Sequence, residues 1–305
     1  MVVVLCAIGR AQTKTDREAA GLRGPVQTVV TEVAEFVVQD GKNVEGPRMP
    51  VQTVSYDARG NRLKRVDFNR DGSVVQTIVY TYDPEGRSTG YEDYTPGLNT
   101  PRKHIYVLDP NGNRTEYKMI QPTGSPADEK YLYKYDSKGN KVAEELYHKT
   151  NLVSRNENVY DEPGRLISQT IYNPDGTIAA KISHAFAPDG KPSERTRHDG
   201  DLLTYRVRYK YDEKGRLTEI ETAGSYVEMD ANSESHVTGR VVHVYKDKDR
   251  LKETLTYNPD GTLRERIVFD YDSQGNWTKR TRRVPGRDKK KDSPAQIEYR
   301  TITYH

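Results

Sequence analysis

From residue 202 to residue 211, apolar and polar positions alternate. Leu203, Tyr205, Val207, Tyr209 and Tyr211 point one way, and Thr204, Arg206, Arg208 and Lys210 the other. Ile78, Tyr80 and Tyr82 repeat the pattern, as do Tyr131, Tyr133 and Tyr135, and Ile267, Phe269 and Tyr271. A period of two in Tyr, Val, Ile and Thr predicts strands with one half-buried face. The residue two before each closing tyrosine is often aromatic: Tyr80, Tyr106, Tyr133, Tyr209, Phe269. Neighbouring strands should therefore stack rings into ladders down one face. The other face carries Lys, Arg and Glu. Only the short stretch Thr13–Ala20 reads as helix.

The strands end in a repeated turn. Tyr56-Asp57-x-x-Gly60 recurs at Tyr82-Asp83-x-x-Gly86, Tyr135-Asp136-x-x-Gly139, Tyr160-Asp161-x-x-Gly164, Tyr211-Asp212-x-x-Gly215 and Tyr271-Asp272-x-x-Gly275. Altered copies begin at Leu108, Phe186 and Tyr245, the last without its glycine. The spacing stays near 26 residues, with one longer step from an insertion within Thr222–Arg240. A second turn lies midway, as in Tyr172-Asn173-Pro174-Asp175-Gly176 and Tyr257-Asn258-Pro259-Asp260-Gly261. Asp and Asn bond their own backbone and Gly takes positive φ freely, which suits hairpin loops of three to five residues. These Asp and Gly residues read as structural.

The fold class is therefore all-β: an antiparallel meander of about 18–20 short strands from ~26-residue repeats. So many strands do not stay flat. We expect an open shell, a half-barrel or an elongated twisted sheet. Exposed terminal strands would then permit an edge-to-edge dimer. Four segments are expected: a signal-peptide remnant over 1–11 cleaved after Ala11, a lead-in and first hairpin over 12–49, the repeat sheet over 50–280, and a basic loop with a closing strand over 281–305. The expected location is secreted, periplasmic or cell-surface.

The Tyr-Asp-x-x-Gly-[Arg/Asn]-[Leu/Val] pattern, complete at Tyr160–Leu166 and Tyr211–Leu217, resembles the YD repeat of Rhs-type proteins. The resemblance covers about residues 50–280. In large members the repeats form a spiral shell around a toxic C-terminal domain; others lie on cell surfaces, where carbohydrate or protein binding is suggested. This chain is short for such a shell and lacks the Asp-Pro-x-Gly-Leu motif of the self-cleaving cap. The resemblance thus implies a small secreted member and argues against toxin delivery.

Composition narrows the chemistry. Val, Leu, Ile and Phe make up about 19% of the chain, too few for a thick apolar core. Tyr is in excess, at 22 against 4 Phe and 1 Trp. The 48 basic and 45 acidic residues leave a charge of +3, which gives no reason to expect specific nucleic-acid binding. Cys6 is the single cysteine, so a disulfide within the chain is excluded. No stretch is long and apolar enough for a transmembrane helix. No cofactor, metal or catalytic motif stands out, and the protein is expected not to be an enzyme. His104, His184 and His243 read as strand residues in the ring ladder. The basic run Lys279–Lys291 reads either as an anion-binding surface or as a solvated loop. Tyr80, Tyr106, Tyr131, Tyr133 and Tyr209 are the candidate ligand-binding residues, for a glycan, an envelope polysaccharide or a protein partner; the alternative is that they pack the sheet's own face. A shell component of an Rhs-like secretion system is the second functional expectation, and a polysaccharide-acting enzyme the third.

Overall fold

The computed structural model describes residues 14–224, 238–286 and 292–305. The expected cleavage after Ala11, Cys6 and most of the insertion fall outside these residues.

The chain begins with a one-turn helix, α1 (Asp16–Ala19), capped by Thr15 and Glu18 in a reciprocal capping box. A long strand β1 (Val26–Gln39) then folds into a hairpin with β2 (Lys42–Glu45). The repeats follow as β3 (Met49–Tyr56), β4 (Arg62–Phe68), β5 (Val74–Tyr82), β6 (Ser88–Tyr94), β7 (Arg102–Leu108), β8 (Arg114–Ile120), β9 (Pro126–Tyr135), β10 (Lys141–His148) and β11 (Asn151–Tyr160). The second half holds β12 (Leu166–Tyr172), β13 (Ile178–Phe186), β14 (Pro192–Asp199), β15 (Leu202–Tyr211), β16 (Leu217–Gly224), β17 (Gly239–Tyr245), β18 (Leu251–Tyr257), β19 (Leu263–Tyr271), β20 (Trp277–Pro285) and β21 (Asp292–Tyr304).

Each strand from β3 to β21 pairs antiparallel with the next, a meander throughout. The meander closes. β1 pairs with β3 on one side and β21 on the other, so that Val29 faces both Val54 and Ile302, and Thr31 faces both Gln52 and Arg300. β2 pairs only with the far end of β1. Leaving that strand out, twenty of the twenty-one form a closed barrel.

Closure corrects the expectation of free terminal edges. The two strands expected to be exposed satisfy each other's backbone groups, which removes the proposed route to an edge-to-edge dimer. The curvature has a local source. Each hairpin at a repeat turn carries a register shift at its tyrosine position, as between Val159 and Tyr160 or Lys210 and Tyr211. Such bulges bend and twist the strand that carries them.

Burial separates the two faces. Val54, Tyr56, His104, Ile182, Tyr205, Val207, Ile220, His243 and Phe269 are all buried and all on the ring-bearing face. This is the inner face. The outward positions pair their charges across strands: Glu92 with Lys103, Glu145 with Lys134, and Glu219 with Lys210 and Arg240. Barrels of sixteen to eighteen strands already leave an aqueous channel, so the side chains of a twenty-stranded wall cannot fill its interior.

The segment before β1 runs along one rim. The Arg17 N–H donates to the Gly60 carbonyl at 3.0 Å, and the Arg23 N–H to Asn276 Oδ1 at 2.7 Å. Leu22 packs with Val26, Val29, Val54 and Tyr56, with Ile302 and Tyr304 beside them. The rim segment therefore spans the β21–β1–β3 seam.

Candidate functional site: the ring-lined lumen

The repeat turn builds itself from its own residues. At Tyr135-Asp136-Ser137-Lys138-Gly139-Asn140, Asp136 Oδ1 accepts the Lys138 and Asn140 N–H groups, and Oδ2 accepts the Asn140 amide. Those bonds from Asn140 hold the Asp136 carboxyl below the usual range. Gly139 sits at φ 84°, where only glycine is unstrained. Asp57, Asp83, Asp161 and Asp212 bond the Asn or Arg four residues on in the same way, beside Gly60, Gly86, Gly164 and Gly215 at positive φ. Asp272 bonds Asn276 likewise beside Gly275, and its second oxygen accepts the Tyr304 hydroxyl. These carboxylates are occupied within their turns. Among the described residues, no group of three or more His, Cys, Asp or Glu is placed to hold a metal.

At three turns the closing arginine also reaches the next repeat. Arg165 pairs with Asp161 at 2.7 Å while its guanidinium lies 4.5 Å from the Phe186 ring centre. Arg216 repeats this with Asp212 and Tyr245, and Arg250 with Asp247 and Tyr271. The Arg-or-Asn choice in the motif thus has two consequences. Both residues close the turn, but only Arg adds a cation–π contact to the following aromatic.

The candidate tyrosines all face the lumen, and each is half-buried. Four of them belong to one ladder across β5 to β9. Tyr80 and Tyr91 are 6.0 Å apart between ring centres; Tyr91 stacks on His104 at 4.0 Å; Tyr106 and Tyr117 are 5.9 Å apart. Tyr117 and Tyr131 continue at 5.7 Å, and Tyr131 stacks on Tyr133 at 6.4 Å. The fifth, Tyr209, lies elsewhere on the wall, in a cluster with Tyr205, Val207 and Ile220. Burial pushes the hydroxyl pKa values of Tyr106 and Tyr131 up, and that of Tyr133 up to about 12 with help from Glu144.

Sequence reasoning missed Tyr91 and Tyr117 as ladder members. Their signal was the register: Tyr91 lies opposite both Tyr80 and His104, and Tyr117 opposite both Tyr106 and Tyr131. Polar groups on the inner face were also missed. Arg102 pairs with Asp93 at 3.3 Å, and Arg65 with Asp67 at 2.9 Å, whose Oδ1 also accepts the Gln52 amide. His104 is 9% exposed and Asp93 6%. His104 Nδ1 lies 2.7 Å from the Tyr117 hydroxyl, whereas His104 Nε2 and Asp93 Oδ1 are buried with no hydrogen-bond partner. Burial lowers the pKa of His104, and that of His243 to about 4. Both rings are therefore neutral at pH 7.

The basic run divides. Arg280, Arg282 and Arg283 lie in β20 and bond Glu298, Glu265 and Asp292. Residues 287–291 fall outside the described residues.

No known protein family matches the chain, and no curated protein matches its sequence. Solved structures do. The chain is similar to TcdB2-TccC3-TEV at 13% identity, covering 86% of this chain and 18% of that one, with a TM-score of 0.33. It is also similar to a porin-like protein from Bacteroides uniformis at 10% identity, covering 92% of this chain and 99% of that one, with a TM-score of 0.39. A porin-like protein from Bacteroides vulgatus matches at 9% identity, over 65% of this chain and 93% of that one, with a TM-score of 0.29. The chain spans under a fifth of the length of the TcdB2-TccC3-TEV chain. A lipid-facing barrel needs an apolar outer band, and the cross-strand ion pairs on this outer face are the opposite of one.

Proposed function

We propose that the protein is a non-enzymatic, secreted binding barrel whose lumen receives a sugar polymer. The observation that carries this reading is the unbroken ring ladder from Tyr80 to Tyr133 inside a wall too wide to fill itself. Rings along a lumen offer flat apolar faces to pyranose units. Arg102, held by Asp93 beside the ladder with its side chain 38% exposed, supplies a hydrogen-bond donor. Ligand pockets combine apolar walls with a few placed polar groups in this way. The turn carboxylates are consumed structurally, so the reading assigns no general acid or base.

The test is a binding screen of residues 12–305 against immobilised envelope polysaccharides and glycans, at low and high salt. We expect binding that weakens at least tenfold on Tyr106→Ala or Tyr133→Ala, with melting still cooperative. Absence of binding to every polymer would refute the reading.

The closed wall itself supports a second reading, a shell component that encloses a polypeptide in an Rhs-like secretion system. A polypeptide that copurifies and becomes protected from protease would favour it over the first.

A further inference from the structure

Most arginines on the inner face have a carboxylate: Arg65 has Asp67, Arg102 has Asp93, Arg280 has Glu298 and Arg282 has Glu265. Arg62 and Arg300 are among those that do not. Among the described residues, no carboxylate comes within ion-pair distance of either guanidinium. Each is instead backed by a ring. Arg300 lies flat over Trp277, 3.6 Å from the ring centre, and Arg62 lies 5.2 Å from that of Tyr80 and donates to its hydroxyl. Each has a buried Nε with no partner.

The two sit close to one another in strand order. Arg62 opens β4 and faces Tyr56 on β3; Arg300 lies on β21, one strand beyond β1. Three strand spacings, roughly 14 Å, separate β4 from β21 around the closed wall. The nearest carboxylates are committed elsewhere. Glu298 takes two bonds from Arg280, and Asp16 Oδ2 takes the Arg62 backbone N–H and the Tyr82 hydroxyl. Cationic charge is left in excess on the inner face under the rim segment.

We propose that Arg62 and Arg300 are two lumenal carboxylate sites, each taking a uronate group of one acidic sugar polymer. The proposal rests on the sugar-binding reading above and narrows it from sugars in general to acidic ones. A guanidinium is built to receive a carboxylate through paired N–H donors, and a ring behind it fixes its plane. Arg114 repeats the arrangement two repeats further on, 3.3 Å over the Tyr106 ring and also without a carboxylate among the described residues. Four strand spacings of ~4.8 Å separate β4 from β8, roughly 19 Å along the wall, a span for an oligomer rather than a single sugar. The ring ladder lies along that interval, which favours a sugar chain over a peptide.

Trp277 is the single tryptophan and touches Arg300, so its fluorescence reports the Arg300 site directly. The probes are hexagalacturonate, neutral cellohexaose and a hexapeptide with a free C-terminal carboxylate, titrated into the wild-type barrel. The expected result is a saturable change with hexagalacturonate alone. Arg300→Gln or Arg62→Gln should weaken it at least tenfold, and Arg300→Lys should restore part of it. Equal binding of cellohexaose, unaltered by Arg300→Gln, overturns the carboxylate sites and leaves the sugar lumen standing. Binding of the peptide in preference, sensitive to Arg300→Gln, overturns the sugar occupant. Binding of none of the three overturns both readings. Should the Gln variants fail to fold, glucuronate against glucose on the wild-type protein decides the question through the same fluorescence.

Discussion

The Tyr160 hydroxyl donates to the backbone carbonyl of Lys141, 2.9 Å away. Tyr160 ends β11 and Lys141 begins β10, so the bond joins one repeat's tyrosine to the strand that opens after the previous turn. Tyr82 to Arg62, Tyr135 to Arg114 and Tyr245 to Leu217 make the same bond. This relationship explains why the motif asks for Tyr rather than Phe. The ring fills the inner face, and in these four repeats the hydroxyl ties the repeat to the one before.

Replacing Tyr160 with Phe removes that bond and leaves the ring. We expect a loss of about 1 kcal/mol in urea unfolding with an unchanged m-value. Tyr160→Ala should cost roughly 3 kcal/mol or more, since it removes the ring as well. Equal stability of Tyr160→Phe and wild type would show the bond to be incidental.

Gly164→Val and Gly215→Val force a β-branched residue to φ values of 85° and 77°. Each should cost about 1–3 kcal/mol through backbone strain. Gly90→Ala should be worse. A Cβ there would lie 2.0 Å from the His104 carbonyl oxygen, so β6 and β7 would have to separate. Thermal melting of the variants should rank Gly90→Ala lowest.

The rim segment is a clasp across the closing seam. Leu22→Ala should destabilise by about 2–4 kcal/mol, because Leu22 packs on β1 and β3 together. Hydrogen exchange should show β1 and β21 losing protection before β11 and β12. Uniform loss around the ring would contradict a seam-specific role.

Acid should weaken the barrel before the carboxylates titrate. His243 has a folded pKa of about 4 against an ordinary 6.5, lowered by burial. Its stabilising contribution is complete above pH 6.5. It is lost as pH falls from 6.5 towards 4, because the unfolded chain binds the proton that the folded one refuses. The ceiling is roughly 3 kcal/mol. His104 shifts in the same direction, also through burial. Stability measured from pH 7 to pH 4.5 should fall, and less steeply in His243→Phe. Identical profiles would show that His243 does not carry the loss.

Local rules made the elements legible. The alternation at Leu203–Tyr211 is a strand because a pleated chain puts successive residues on opposite faces. The Asp-x-x-Gly turn is where Asp136 and Gly139 say it should be, because its bonds and its positive φ involve neighbours in sequence. The ladder through Tyr80, Tyr106, Tyr131 and Tyr133 was half visible for the same reason. Tyr91 and Tyr117 escaped because membership depends on the register of strands on either side, which periodicity within a strand does not encode.

The sequence by itself determined the strands, their turns, the antiparallel order and the face that carries the rings, since each follows from contacts within one repeat or between neighbours. Closure was decided only in three dimensions. Whether β1 meets β21 depends on curvature summed over twenty strands, and a small change per hairpin separates an open shell from a ring. The carboxylate-free pair Arg62 and Arg300 is a product of that closure. The two lie far apart in sequence and come onto one stretch of wall because β1 sits between β3 and β21.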